Sequence, residues 1–129
     1  MDYDRPVLRA VDVHLEDVVS VTVVLASAGR EHKGEAQGAI DAASRARVVG
    51  EATLRALEAM TGLAKFELSA VGTSTLDTVT IALVQVEEPA RDEHYVGSAL
   101  IRHGDVVLAT ARAVLDALNR RLAALQLRE

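Results

Sequence analysis

The two halves of the chain resemble each other, and this similarity constrains the fold more than any other feature. Three segments recur in the second half in the same order: 18–24 with 78–84, 33–36 with 96–99, and 52–57 with 113–118. The matches lie about 60 residues apart, so each copy has the length of one supersecondary unit. We therefore predict two copies of one unit.

The first half has the pattern of three strands followed by a helix. Alternating apolar residues and β-branched residues predict strands over 7–15, 18–28 and 32–38. Asp41 stands where a helix N-cap belongs, and Gly62 stands where a helix ends. The helix between them is predicted over 42–61.

The second half repeats that order. Strands are predicted over 64–71, 78–87 and 94–102, separated by a turn over 72–77 and a polar loop over 89–93. Asp105 is positioned to cap a helix over about 106–125.

These patterns predict an α+β fold of two βββα units, over about residues 7–62 and 63–127, within one domain over residues 1–129. We expect a pseudo-twofold relation between the units, with the helices packed on antiparallel sheet. In that arrangement each unit buries the apolar face of the other.

Composition excludes several classes of function. The net charge is −5, basic residues are scattered, and the aromatic residues are Tyr3, Phe66 and Tyr95, so we expect no nucleic-acid binding. Cysteine is absent, which excludes disulfides and thiolate metal sites. The N-terminal residues do not have the pattern of a signal peptide, and no apolar run has the length of a membrane span. We therefore expect a cytoplasmic protein that does not contact membranes.

Short motifs at the helix entries resemble a known family. Residues 34–42 read GEAQGAIDA, residues 95–99 read YVGSA, residues 105–111 read DVVLATA, and Asn119-Arg120 follows. With these motifs, residues 8–122 resemble the C-terminal regulatory domain of 2-isopropylmalate synthase, a leucine-feedback and dimerisation domain. The family has a Gly-Pro-Val-Asp-Ala-like pattern at the first helix, and Ala39 stands in place of its proline.

The resemblance implies the fold described above, a homodimer and a site for a small aliphatic effector such as a branched-chain amino acid. In that family the effector binds near the helix starts and the domain interface. Carried onto this sequence, the ligand-binding residues would be Gly38, Ala39, Ile40, Asp41, Gly97, Ser98 and Asp105. The family domain follows a catalytic barrel that this sequence does not contain, so a partner enzyme is a further implication.

Each candidate site also has a purely structural interpretation. Residues 38–41 fit a tight turn with an ordinary Asp cap, and residues 72–75 fit hairpin chemistry as well as a polar ligand loop. His14, His32, His94 and His103 lack metal-ligand spacing and are interpreted as solvated, although His32 and His94 fall at related places in the two halves. Glu87, Glu88, Asp92 and Glu93 are interpreted as a solvated charge run.

The sequence contains no nucleophile elbow, phosphate loop or dinucleotide fingerprint, so we predict a non-catalytic protein without a cofactor or metal. The last helix carries an apolar stripe of Leu115, Leu118, Leu122 and Leu125, which either fills the core or meets a second subunit. Two functions stay open. One is a regulatory module that senses a small metabolite, and the other is a self-association or protein-interaction module without a ligand.

Overall fold

The chain folds into two consecutive βββα units. The computed structural model describes residues 5–127. The first unit comprises β1 (Val7–Leu15), β2 (Val19–Ser27), β3 (Arg30–Gly38) and α1 (Ala42–Thr61). The second comprises β4 (Glu67–Leu76), β5 (Val79–Glu88), a 3-10 turn (Pro89–Arg91), β6 (Glu93–Leu100) and α2 (Val106–Leu127). The predicted α+β class and βββα–βββα order are confirmed.

Each unit forms its own three-stranded antiparallel sheet, with its second strand at the centre. We call β1–β3 the first sheet and β4–β6 the second sheet. In β2, Val19, Val21, Val23 and Leu25 are buried and alternate with more exposed residues. Because successive strand side chains point to opposite faces, each sheet has an inner face toward the helices and an outer face away from them.

Local capping chemistry fixes the ends of α1 as predicted. Asp41 has extended backbone geometry, and its carboxylate accepts the N–H of Ser44. At the other end, Gly62 adopts the left-handed conformation with φ 63°, and its N–H donates to the carbonyl of Glu58 at 2.9 Å. The helix is buried on more than one side because it packs on β2 and β3, on α2, and on β4 of the other unit.

Each helix crosses the third strand of its own sheet at a glycine. A Cβ on Gly34 would collide with backbone atoms of Ala52 and Ala56, and a Cβ on Gly97 would collide with backbone atoms of α2. The helix backbone therefore lies directly against the strand, which only a residue without a side chain permits.

Equivalent contacts relate the two units and bear out the predicted pseudo-twofold. The equivalent residues are Gly34 and Gly97, Ala52 and Ala113, Ala56 and Ala117, Val23 and Val84, and Leu8 and Leu68. A bulge follows Leu8 in β1 and Leu68 in β4. The exchange is reciprocal, since α1 contacts β4 while α2 contacts β1.

The sequence alignment of the central strands is wrong by one residue. It matched Val24 with Val84, whereas the structure pairs Val23 with Gly34 and Val84 with Gly97. Val23 and Val84 both face inward and are buried. A slip of one residue moves a strand side chain to the opposite face. Only the structural alignment therefore matches inward-facing residues with inward-facing residues.

The predicted turn over residues 72–77 is also wrong, because β4 continues through it to Leu76. Gly72 pairs with Leu83 and Thr75 pairs with Thr80, and the connection is the two-residue turn at positions 77 and 78. Asp77 supplies the positive φ of 56° that such a tight hairpin needs. Cross-strand pairing outweighs the turn propensity of the Gly-Thr-Ser sequence.

The apolar stripe of α2 lies mainly in the core. Leu118 and Leu122 are fully buried, Leu125 is almost so, and Leu115 packs against the same cluster, which joins both units. Core packing therefore accounts for this stripe. Within residues 5–127, neither helix combines the length and apolarity needed to cross a membrane.

Candidate functional site

The start of α1 carries four of the seven residues predicted to bind a ligand. Gly38 ends β3, and a Cβ there would meet the Val48 side chain at 2.5 Å. Ala39 and Ile40 follow in an exposed connection, and Asp41 caps the helix. Close packing against Val48 accounts for the glycine at position 38, and helix capping accounts for the aspartate at position 41.

The carboxylate of Asp41 is already engaged. Its Oδ1 accepts the N–H of Ser44 and its Oδ2 accepts the hydroxyl of the same serine, each at 2.9 Å. The N–H and hydroxyl hydrogen bonds from Ser44 lower the pKa of Asp41 below its ordinary value. A fixed negative charge at this helix start opposes binding of an anion.

The other three predicted residues fall in two different places. Gly97 and Ser98 lie within β6, where Gly97 is buried beneath α2 and the Ser98 N–H donates to Asp116 Oδ2 at 3.0 Å. Asp105 caps α2, with its Oδ1 accepting the N–H of Leu108 at 2.9 Å. Gly97 and Ser98 thus belong to the strand–helix contact, whereas Asp105 belongs to a helix start.

A shallow groove of about 220 Å³ lies beside that start. Its lining residues are Leu8, Arg9, Ala10, Val11, Asp105, Val107 and Leu108. We call it the α2 groove. Among the described residues, it includes one of the seven predicted positions, Asp105, and it adds an arginine of opposite charge and several aliphatic side chains.

A buried ion pair joins the second sheet to α2. Glu88 is 2% exposed, and its carboxylate receives Arg121 Nε at 2.7 Å and Arg121 Nη2 at 3.0 Å. The Tyr95 hydroxyl donates to the same carboxylate at 2.8 Å, and Arg91 Nε lies 3.9 Å away. This pairing satisfies a carboxylate that would be costly to bury alone.

The environment of Glu88 favours its charged form. Burial opposes ionisation, but the hydrogen bonds from Arg121 and Tyr95 and the charges of Arg121 and Arg91 outweigh it and lower the pKa of Glu88. Burial and the hydrogen bond to Glu88 raise the pKa of Tyr95. The Glu88 hydrogen bond raises the pKa of Arg121. The interpretation of Glu88 as part of a solvated charge run is therefore wrong.

Much of the outer face of the second sheet is apolar and exposed, whereas Gln85, Glu87 and His94 make its β5–β6 hairpin end polar. The apolar side chains of this outer face are Leu76, Val79, Ile81, Leu83, Val96 and Leu100. We call these six residues the apolar face. Leu76 is 72% exposed and Val96 is 70% exposed, whereas such side chains are usually covered in a folded protein.

The outer face of the first sheet has the opposite character. It presents Asp12, His14, Glu31, Lys33, Glu35 and Gln37 on its edge strands. In the structural alignment, Lys33 corresponds to Val96 and Thr22 corresponds to Leu83. The βββα fold is thus compatible with a polar outer face, so packing within the chain does not explain the apolar one.

Sequence reasoning missed both the buried ion pair and the apolar face. Ala82, Val84 and Val86 alternate on the inner face of β5, and continuing that period would place Glu88 inside. The predicted strand ended one residue earlier and left Glu88 in a loop. The alternation of β5 gave no signal for the apolar face, because both of its faces are apolar along residues 79–84.

A comparison with protein-family models finds no match, and none of the curated proteins matches the chain.

Proposed function

We propose that the chain is a non-catalytic self-association module in which two copies stack through the apolar face of the second sheet. The exposure of that face carries the proposal. The largest contiguous apolar patch on a folded domain is often a functional surface, and patches beyond a few hundred Å² mark interaction sites. Leu83 and Leu100 lie between the more exposed Leu76 and Val96, so the surface is continuous across the three strands.

Charge supports a second copy as the occupant. The chain has a net charge of −5, yet the apolar face is made of six uncharged side chains. Two copies can therefore meet over these six residues without opposing like charges, because the acidic residues of the first sheet lie on a separate outer face. Glu87 shares the outer face of the second sheet but lies at its β5–β6 hairpin end. Stacked sheets of this kind lie about 10 Å apart with interdigitated side chains.

The shape of the face also suits self-association. Leu83 forms the middle of a row between Gly72 and Ser98, so a large side chain stands between two small ones. A Cβ on Gly72 would meet nothing within 4 Å, which leaves space beside Leu83. A leucine from a second copy fits that space.

The area favours a reversible dimer. Three strands of about eight residues cover roughly 400 Å² of sheet, so two stacked faces bury on the order of 1,000 Å² in total. That is near the lower limit of specific interfaces, at which complexes are transient. We therefore expect association in the micromolar range rather than an obligate dimer.

Sedimentation equilibrium over a range of protein concentrations tests this proposal. We expect the wild-type chain to dimerise as its concentration rises, and we expect Val96→Lys to be monomeric throughout. This substitution places in the second sheet the residue that the first sheet carries at Lys33, so the fold should tolerate it. Thr22→Lys, at the position equivalent to Leu83, is the control and should dimerise like the wild type. A wild-type chain that stays monomeric at high concentration would overturn the proposal and leave a different protein as the partner.

The α2 groove supports a second candidate function, sensing of a branched-chain amino acid. Arg9 and Asp105 provide opposite charges for the carboxylate and ammonium groups of an amino acid, and Leu8 and Val107 provide apolar surface for its side chain. The start of α1 lacks this combination, because the residue within the equivalent bulge of β4 is Ser69, where β1 has Arg9.

Thermal unfolding with leucine, isoleucine, valine and their keto acids tests this second function. A ligand at a hundredfold excess over its dissociation constant stabilises a folded protein by about 2.7 kcal/mol, which raises its melting temperature by several degrees. Arg9→Ala should abolish the shift, whereas Arg112→Ala, outside the groove, should retain it. No shift with any of these ligands would exclude branched-chain effectors.

A further inference from the structure

Two carboxylates and one imidazole converge at the β5–β6 hairpin. Glu87 is near the end of β5, Asp92 follows the 3-10 turn, and His94 is near the start of β6. One ligand atom from each lies within 4.8 Å of the other two. We propose that Glu87, Asp92 and His94, the hairpin trio, form a binding site for a divalent transition-metal cation such as Zn²⁺.

The backbone supports this convergence. Glu87 and His94 are direct partners in the β5–β6 ladder, so their side chains leave the same face of the sheet side by side. Asp92 ends the 3-10 turn two residues before His94, and one of its carboxylate oxygens lies within 4.8 Å of the ligand atoms of Glu87 and His94. The site therefore combines two strand positions with one turn position.

The donor set suits a transition metal. Carboxylate oxygen and imidazole nitrogen both bind Zn²⁺ at about 2.0–2.2 Å. Donors around one such ion lie roughly 3–4 Å apart, so small side-chain rotations bring atoms within 4.8 Å into range. Three protein ligands leave a coordination position for water or for a group from another molecule.

The two carboxylates lack a cationic partner within the part of the chain that the structure describes. The nearby arginines pair instead with Glu88, where Arg121 and Arg91 approach the buried carboxylate. None of the ion pairs formed within residues 5–127 includes Glu87 or Asp92. Two adjacent negative charges beside an imidazole attract a cation that can use both kinds of donor.

Gln85 supplies a supporting contact for the histidine. Its side-chain amide lies 3.4 Å from His94 Nδ1. The atom of Gln85 at this distance is the amide nitrogen Nε2. Metal binding at His94 Nε2 requires the amide to turn over, so that Nδ1–H donates to the Gln85 carbonyl oxygen and the lone pair of His94 Nε2 faces the metal. Such a hydrogen bond at the second ring nitrogen typically orients a metal-binding histidine.

Packing does not require the trio. The first sheet has Ala26 and Glu31 at the positions that correspond to Glu87 and His94, and Ala26 pairs with Glu31 as Glu87 pairs with His94. His32, which sequence comparison related to His94, lies one position away and pairs with the inward-facing Leu25. The two histidines therefore point to opposite faces of their sheets.

Titration of the metal-free chain with Zn²⁺, followed by calorimetry, tests the site. We expect one saturable site with a dissociation constant below about 100 µM. His94→Ala should weaken binding at least about tenfold, and Gln85→Ala should weaken it by a similar factor through loss of orientation. His103→Ala, which removes an exposed histidine outside the trio, is the matched control and should bind like the wild type.

A second readout separates coordination from nonspecific association. Co²⁺ bound by the trio should give visible absorption bands that Zn²⁺ abolishes and that His94→Ala lacks. Equal Zn²⁺ affinity in the wild type and in His94→Ala would overturn the proposal, as would the absence of saturable binding up to about 1 mM. The outcome can be separated from self-association with Leu76→Lys, which alters the apolar face at its far end from the trio and should leave metal affinity unchanged whether or not the wild type dimerises.

Discussion

Replacing Arg121 by methionine removes the main partner of a buried carboxylate while keeping most of the side-chain volume. The side chains of Arg121 and Glu88 are 9% and 3% exposed, and two hydrogen bonds of 2.7 and 3.0 Å join them. Breaking a buried pair on one side costs about 3–5 kcal/mol. The hydroxyl of Tyr95 stays in place, so we expect about 3 kcal/mol. For a chain of this length, that lowers the melting temperature by roughly 10 °C.

Urea unfolding at pH 7 measures this loss, and two companion variants define its cause. The double variant Glu88→Gln, Arg121→Met removes both charges and should recover at least half of the lost stability. Arg91→Met removes a half-exposed arginine that lies 3.9 Å from the same carboxylate and should cost less than about 1 kcal/mol. A loss below about 1 kcal/mol in Arg121→Met would refute the argument, because it would mean that water reaches Glu88.

The pH dependence of stability should differ in sign between the wild type and Arg121→Met. In the wild type, folding lowers the pKa of Glu88. The stability that Glu88 contributes is therefore complete at a pH above the pKa of the unfolded state, and it is lost as the pH falls through the pKa of the folded state. Without Arg121, burial dominates and raises the folded-state pKa of Glu88. Protonation of Glu88 at low pH then removes the unpaired buried charge and makes the variant more stable. The stability difference between the two proteins should therefore narrow from pH 7 to about pH 4.

Two further substitutions test contacts that position the helices. Gly97→Ala should destabilise the fold by about 3 kcal/mol in chemical denaturation, because its Cβ collides with the backbone of α2, whereas Gly72→Ala should change stability by less than about 1 kcal/mol because nothing lies within 4 Å. Equal effects of the two glycine substitutions would contradict the close strand–helix contact. Glu58→Ala should cost about 2 kcal/mol in the same assay, since the Phe66 N–H loses its charged acceptor at 2.7 Å; an unchanged midpoint would mean that water replaces this bond.

Local chemistry made the helices and several strands predictable. Asp41 and Gly62 satisfy the exposed backbone groups at the two ends of α1, so the predicted bounds 42–61 agree with the structure. Strand β1, over residues 7–15, was predicted correctly from its alternation alone. The similarity between the two halves then gave the order of elements, because each half repeats the same sequence of strands and helix.

Long-range placement was less accessible to sequence reasoning. The partner of Glu88 lies 33 positions away on α2, so no local pattern marks the pair. The seven positions carried over from the family resemblance separate in the structure into the α1 start, β6 and the α2 start. The hairpin trio was hidden because Asp92 and His94 were assigned to a solvated loop and a solvated strand end, while their closeness to Glu87 depends on the β5–β6 register.

Comparison of the two units separates what the fold requires from what it does not. Gly34 and Gly97 are identical because both must admit a helix backbone, so this identity reports packing. Lys33 and Val96 occupy equivalent outer positions and differ in charge, yet both sheets form. Hydrophobic burial within the chain cannot explain a valine that is 70% exposed. The outer-face differences between the halves are not required by packing, so they are the positions at which we propose that other molecules bind: the apolar face and the β5–β6 hairpin.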